Sequence, residues 1–315
     1  MAPETGFKMT EFTISLPATS ANLGPAFDAA ALAMNLALRV HATRARQYSI
    51  DATGHDPEIC AALENHLIVK TYEEVLAGEK KSAPALRLSI HNGFPIGKGL
   101  GSSAAARLAG IALAVRFGRL RWNSARIVGE ASKREHHPDN AAACWMGGVT
   151  VARMFGEADA HVARFVPKGR WPLMLAIPQE PLSTEKARSV LPREYSRADA
   201  VTNIQNSMLL LAALFQGDQK LFSSSLEDRI HQPYRAELCP LLPALETLDP
   251  EDGILGVALS GAGPSVLMFL NPKFAIEKSK ARIESRLKNR GLKAELVLTS
   301  IARRGGEASF QRKAG

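Results

Sequence analysis

The chain has 315 residues, enough for two modest domains with a sizeable core, and its 46% hydrophobic and 22% charged content is that of a soluble globular protein. No run of some 18 apolar residues occurs and no charged-then-apolar leader opens the chain, so membrane insertion and export are not expected and the cytoplasm is the expected location. Three scattered cysteines, Cys60, Cys144 and Cys239, fit neither a disulfide framework nor a C-x-x-C metal site, and a formal charge of +8 without a dense basic block suits anionic small molecules better than nucleic acid.

Residues 1–9 carry no motif and read as an extension or a misassigned start. Apolar and hydroxyl residues alternate over 12–16, which predicts a strand. It runs into Pro17-Ala18-Thr19-Ser20-Ala21-Asn22-Leu23-Gly24-Pro25-Ala26-Phe27-Asp28, where Pro17 and the Gly24-Pro25 pair predict an irregular loop presenting Asn22 and Asp28. Ordinary turn chemistry competes for both side chains. A strand follows at 36–43, then a helix over 65–78 with Asn65 as cap and Gly78 as stop, then a strand at 86–91.

That strand leads to Pro95-Ile96-Gly97-Lys98-Gly99-Leu100-Gly101-Ser102-Ser103-Ala104-Ala105-Ala106. Alternating glycines let a backbone approach a ligand closely, and the alanine-rich helix predicted over 104–117 would aim its N-terminus at an anion. The letters fit neither a Walker A loop nor G-x-G-x-x-G, because Lys98 has no hydroxyl after it and Ser102 stands at the third glycine. A glycine-rich turn without a ligand is the competing reading.

A helix over 122–134 precedes Glu135-His136-His137-Pro138-Asp139-Asn140; adjacent histidines followed by proline lack the spacing of a zinc site. Strands at 149–154 and 173–177 flank a connection at 167–170. Then come Ser183-Thr184-Glu185-Lys186-Ala187-Arg188, a periodic helix over 201–215 ended by Gly217, and Asp228-Arg229-Ile230-His231-Gln232-Pro233-Tyr234-Arg235. From Gly256 the order is strand, Ser260-Gly261-Ala262-Gly263-Pro264 turn, strand, helix over 273–289, and strand over 294–301, with a basic tail after Arg303 expected to be solvated. The pattern is α+β: an N-terminal α/β domain over 9–168 holding the phosphate loop, and a ferredoxin-like α/β sandwich over 169–315.

Three strings, at 17–28, 95–104 and 259–266, resemble the motifs of the GHMP kinases in the right order, and P-A-T-S-A-N-L-G-P-x-F-D is most similar to the homoserine kinases. The resemblance covers residues 12 to 300, nearly the whole chain. It implies the two-domain GHMP fold and ATP-dependent phosphorylation of L-homoserine for threonine biosynthesis. Another small-alcohol kinase of the superfamily, or a catalytically silent nucleotide or amino-acid sensor, is the alternative. It implies ATP on Pro95, Ile96, Gly97, Lys98, Gly99, Leu100, Gly101, Ser102, Ser103, Ala104 and Ala105, and Mg²⁺ on Ser103 and Glu130, with Glu135 as the alternative because Glu130 lies one residue closer to Asn140 than the family spacing. The implied substrate ligands are Asn22, Asp28, Asn140, Thr184, Arg188 and Arg235, with Asn140, Arg188 and Asp139 as the catalytic group. A homodimer is left open. Ala26 replaces the family's usual glycine, and Lys98 replaces a small residue, offering a further phosphate contact.

Overall fold

The computed structural model describes residues 11–311; the expectation for residues 1–9 and the last four residues of the basic tail lie outside that range. Strand β1 (Glu11–Ala21) starts as the alternation predicts, with Phe12, Ile14 and Leu16 turned inward. It does not end at Pro17. Its ladder with β2 (Ala30–Arg44) continues to Ala21 across a register shift between Pro17 and Ala18. A bulge tolerates a residue without an N–H, so the expected loop is confined to residues 22–29. Next come β3 (Ser49–Gly54), α1 (Pro57–Ala61), α2 (Leu67–Gly78) and β4 (Leu86–Asn92). Asn65 precedes the α2 cap, which is His66, and Gly78 is the last helical residue rather than the stop.

Helix α3 (Ser102–Phe117) follows the glycine loop, then α4 (Ser124–Glu135), α5 (Asp139–Met146), β5 (Val149–Phe155) and β6 (Asp159–Phe165). The strands form a six-stranded mixed sheet in which long β2 is shared: β1 lies along one side of it, β4 and β5 along the other, with β3 parallel to β4 and β6 antiparallel to β5. Helix α3 is buried nearly all round because its small residues let α2 and β1 approach from two sides.

The second layer begins with β7 (Pro172–Ile177), α6 (Thr184–Ser189), α7 (Arg197–Gln216), α8 (Gln219–Ser224), α9 (Gln232–Arg235) and α10 (Leu241–Leu245). It is completed by β8 (Ile254–Leu259), β9 (Val266–Leu270), α11 (Ile276–Asn289) and β10 (Glu295–Ser300), after which α12 (Gly306–Phe310) returns to the first sheet. The antiparallel sheet order β10-β7-β9-β8 is the ferredoxin-like order the sequence predicts. Gly217 stops α7 in the left-handed region, as expected.

The chain after Ile301 departs from the expected solvated tail. Ala302 N donates to Ala33 O (2.8 Å) and Gly148 N to Ala302 O (2.7 Å), which stitches the tail to the first sheet. Helix α12 then docks Phe310 against Trp145 and Phe12, and Ser15 N donates to Ser309 Oγ (3.1 Å). Apolar packing outweighs the solvation that a polar-looking tail suggests, and residues 301–310 pack with the N-terminal sheet rather than with the rest of 169–315. No helix among the described residues is long and apolar enough to cross a membrane.

Candidate active site

The glycine loop between β4 and α3 is held by the other two motif strings. Thr19 N donates to Leu100 O (3.0 Å), and Ser260 Oγ donates to Gly99 O (2.8 Å). Gly101 caps α3 with φ 72°, and a Cβ there would overlap Thr19 Oγ1; at Gly99 it would overlap the carbonyls of Ser260 and Gly263. Only glycine permits this approach at positive φ. No side chain caps α3, so its first-turn N–H groups and the positive end of its dipole open into a cavity of about 260 Å³.

Ile96, Gly97, Gly99, Gly101, Ser102 and Ser103 line that cavity. Pro95, Lys98, Leu100, Ala104 and Ala105 do not; Leu100, Ala104 and Ala105 are buried and shape the loop from behind. Lys98, expected to offer a further phosphate contact, gives its Nζ to Gln179 O here. Burial lowers the Lys98 pKa, against the opposing pull of Glu180 and Asp56.

Across the cavity stand the amino-acid ligands that the strings imply. Arg188 Nη2 meets Asp28 Oδ1 at 2.7 Å. Buried Arg235 gives Nε to Ala187 O (2.9 Å) and Nη1 to His231 Nδ1 (3.2 Å), while its Nη2 has no hydrogen-bond partner among the described residues. Both guanidiniums lie over the Phe27 ring, at 5.5 and 5.4 Å. Asn22 donates Nδ2 to Gly261 O (2.8 Å) and accepts Asp28 N–H (2.9 Å), so it joins the first string to the third. Thr184 lies in the first turn of α6, behind the cap Ser183, and also lines the cavity.

Asn140 and Asp139 open α5. Thr19 Oγ1 donates to Asn140 Oδ1 (2.6 Å); Asp139 Oδ1 accepts from Asn140 N (2.6 Å) and pairs with His137 Nδ1 (2.7 Å). Burial opposes charge on His137, but the Asp139 carboxylate outweighs it and the net pKa is raised.

Of the two acids considered for the metal, the structure brings Glu135, not Glu130, to Ser103. Ser103 Oγ donates to Glu135 Oε1 at 2.6 Å, and Arg107 Nε meets the same oxygen at 2.5 Å. Glu130 is one turn earlier on α4, outside the cavity lining, and is taken up by Arg126 and Arg134. Helical phase is the reason: five residues place the two acids about 140° apart around the axis.

Several contributors were not singled out from sequence. His231 is buried, donates Nε2–H to Gly24 O (2.8 Å) and accepts from Arg235, which fixes the neutral tautomer; burial, aided by Arg235 and opposed by Asp228, pushes its pKa down to about 4. Asp228 accepts from the backbone of Ile230, His231 and Gln232. A second, more apolar cavity of about 330 Å³ shares Ile96, Ser102 and Ser103 with the first and extends between α1, α2 and β4. Thr19, Ser260 and His231 stood inside quoted strings and could have been weighed by type; the second cavity has no local sequence signal.

Comparison with known proteins gives the family of the chain. The family described as GHMP kinases N terminal domain matches residues 66–148, and GHMP kinases C terminal matches residues 210–289. The chain is 40% identical over 296 residues to the homoserine kinase of Solibacter usitatus, covering 94% of this chain and 96% of the relative. It is 34% identical to that of Synechococcus sp. over 301 residues, covering 93% and 96%. Among solved structures, homoserine kinase from Cytophaga hutchinsonii superposes with a TM-score of 0.79 at 21% identity (97% and 98% covered), and L. major mevalonate kinase with R-mevalonate scores 0.69 at 15% (92% and 95% covered). The structural likenesses show a shared fold, and the sequence relatives narrow it: the chain belongs to the homoserine kinase family of the GHMP kinases.

Proposed function

We propose that this cleft transfers the γ-phosphoryl group of ATP to the side-chain hydroxyl of L-homoserine, giving O-phospho-L-homoserine for threonine biosynthesis. The observation that carries the reading is the pairing of Asp28 with Arg188, beside buried Arg235, across one cavity from the uncapped start of α3. One carboxylate and two guanidiniums complement a zwitterion: Asp28 takes the α-ammonium, and Arg188 with the free Nη2 of Arg235 takes the α-carboxylate. Asn22 holds Asp28 in place, and Thr184 closes the same side.

Glycines 97, 99 and 101 and the α3 N-terminus cradle the triphosphate, and the apolar cavity behind Ser102 takes the adenine. Ser103 and Glu135 suit Mg²⁺, being hard oxygen donors with Glu135 Oε2 free of protein hydrogen bonds, and no cluster of three His, Cys, Asp or Glu competes among the described residues. When bound, the ion neutralises charge on the transferring group. Asn140, its Oδ1 fixed by Thr19, presents Nδ2 toward the reacting hydroxyl, while Asp139 orients Asn140 and His137. This arrangement relies on positioning and charge, with no committed base. An ATP-coupled assay with L-homoserine, mevalonate and shikimate side by side tests it: turnover confined to homoserine is expected, and binding of ATP and homoserine without turnover would favour the sensor.

A further inference from the structure

One aromatic ring serves both arginines of the acceptor side. The guanidinium carbons of Arg188 and Arg235 lie 5.5 and 5.4 Å from the centroid of the Phe27 ring, and the His231 imidazole stacks on that ring at 5.1 Å and 29°. The chain on either side of Phe27 is pinned. Asn203 Nδ2 and Ser207 Oγ both donate to Pro25 O, at 2.5 and 2.7 Å, and His231 Nε2 donates to Gly24 O. Asp28 follows at φ 52° with its N–H held by Asn22. The ring is partly buried and does not line the cavity, so it acts on a substrate only through the guanidiniums. Two like charges drawn to one place need compensation. Asp28 supplies a carboxylate to Arg188 at 2.7 Å, but the hydrogen bonds of buried Arg235 go to neutral acceptors, Ala187 O, His231 Nδ1 and Gly261 O. Burial and then the Arg188 charge lower the Arg235 pKa, opposed by Asp28, Cys239 and Asp228. An aromatic face carries negative potential and attracts a guanidinium within about 6 Å of its centroid; an aliphatic side chain of similar bulk fills the space and leaves the repulsion in place.

We propose that Phe27 is a positioning residue for the acceptor: its π face seats the guanidiniums of Arg188 and Arg235 beside each other as one fork for an α-carboxylate, and so selects alcohols that carry that group. The proposal rests on the reading of the cleft as that of a homoserine kinase. With the acceptor bound, the charges close, because the two guanidiniums then face two carboxylates, that of Asp28 and that of the substrate. Without the ring each arginine keeps its charge but loses the shared geometry that bidentate recognition needs.

Kinetics on the full chain with two ligands test this: L-homoserine as acceptor, and 3-aminopropan-1-ol, which keeps the amine and the reacting hydroxyl but lacks the carboxylate, as competitor. Phe27→Leu is expected to raise the KM for homoserine about tenfold, with kcat and the KM for ATP within about twofold of wild type. The inhibition constant of 3-aminopropan-1-ol against homoserine is expected to stay unchanged. A second series separates charge from shape and does not depend on the Phe27→Leu protein folding. Mono-, di- and trifluorinated phenylalanine at position 27 keep the outline of the ring while withdrawing electron density from its face, and the KM for homoserine is expected to climb stepwise with the number of fluorines. Wild-type turnover of homoserine with a flat KM across the fluorinated series, or a Phe27→Leu protein that weakens homoserine and 3-aminopropan-1-ol alike, overturns the proposal and leaves the function standing. Absence of homoserine turnover by the wild type overturns both.

Discussion

At the scale of single residues the fold separates neighbours that a string of letters cannot. Glu135 and Glu130 lie on one helix, yet only the former meets Ser103. Glu135→Gln is expected to lower kcat by two orders of magnitude or so with a raised Mg²⁺ requirement, while Glu130→Gln, whose carboxylate pairs with Arg126 and Arg134 outside the cavity, stays within about twofold; steady-state kinetics against Mg²⁺ concentration read both. Arg188→Ala removes a charge-assisted contact of roughly 1.5–3 kcal/mol, which predicts about a 10- to 100-fold loss of kcat/KM for homoserine with the KM for ATP held. His231 supplies a pH signature. Its pKa is depressed to about 4 in the folded protein against 6.5 unfolded, so its contribution to stability is full above pH 6.5 and is lost as pH falls toward 4, by on the order of 3 kcal/mol. Denaturant titrations at pH 7 and pH 4.5 should show a smaller acid loss in His231→Gln than in wild type. Most site residues were legible because they stand in strings with family resemblance; His231 stands in one too, but its role as a buried link between Gly24 and Arg235 is set by distant parts of the chain that no local spacing announces.

At the scale of elements, the glycine loop is a joint between three segments. Gly101→Ala places a methyl against Thr19 Oγ1 at a backbone angle costing about 1–2 kcal/mol. The expected outcome is a KM for ATP raised more than about tenfold with circular dichroism unchanged. The tail is the second test. Phe310→Ala uncovers Trp145 and Phe12 and should cost about 2 kcal/mol, read as a lower denaturant midpoint with homoserine affinity retained. A solvated tail would show no change. Strands and helices with strong periodicity, such as 86–91 and 201–215, were legible in the letters. β3 and β6 were not, being polar edge strands defined by their neighbours, and α12 was not, because five residues acquire helical stability only by docking on Trp145.

At the scale of the whole molecule, the ferredoxin-like order was legible from the alternation of strands and helices, while the closure of the two sheets was not: it depends on Ala302 reaching Ala33 and Gly148 across the fold. The uncapped start of α3 and the two guanidiniums of Arg188 and Arg235 line one cleft, whose strings are joined by the Ser260–Gly99 and Asn22–Gly261 hydrogen bonds. The measurement closest to the central claim is ATP turnover with L-homoserine by the purified chain, wild type beside Arg188→Ala. The account predicts formation of O-phospho-L-homoserine by the wild type and a drop in kcat/KM for homoserine in the variant. Equal rates in the two proteins, or phosphorylation of mevalonate or shikimate in preference to homoserine, would contradict it.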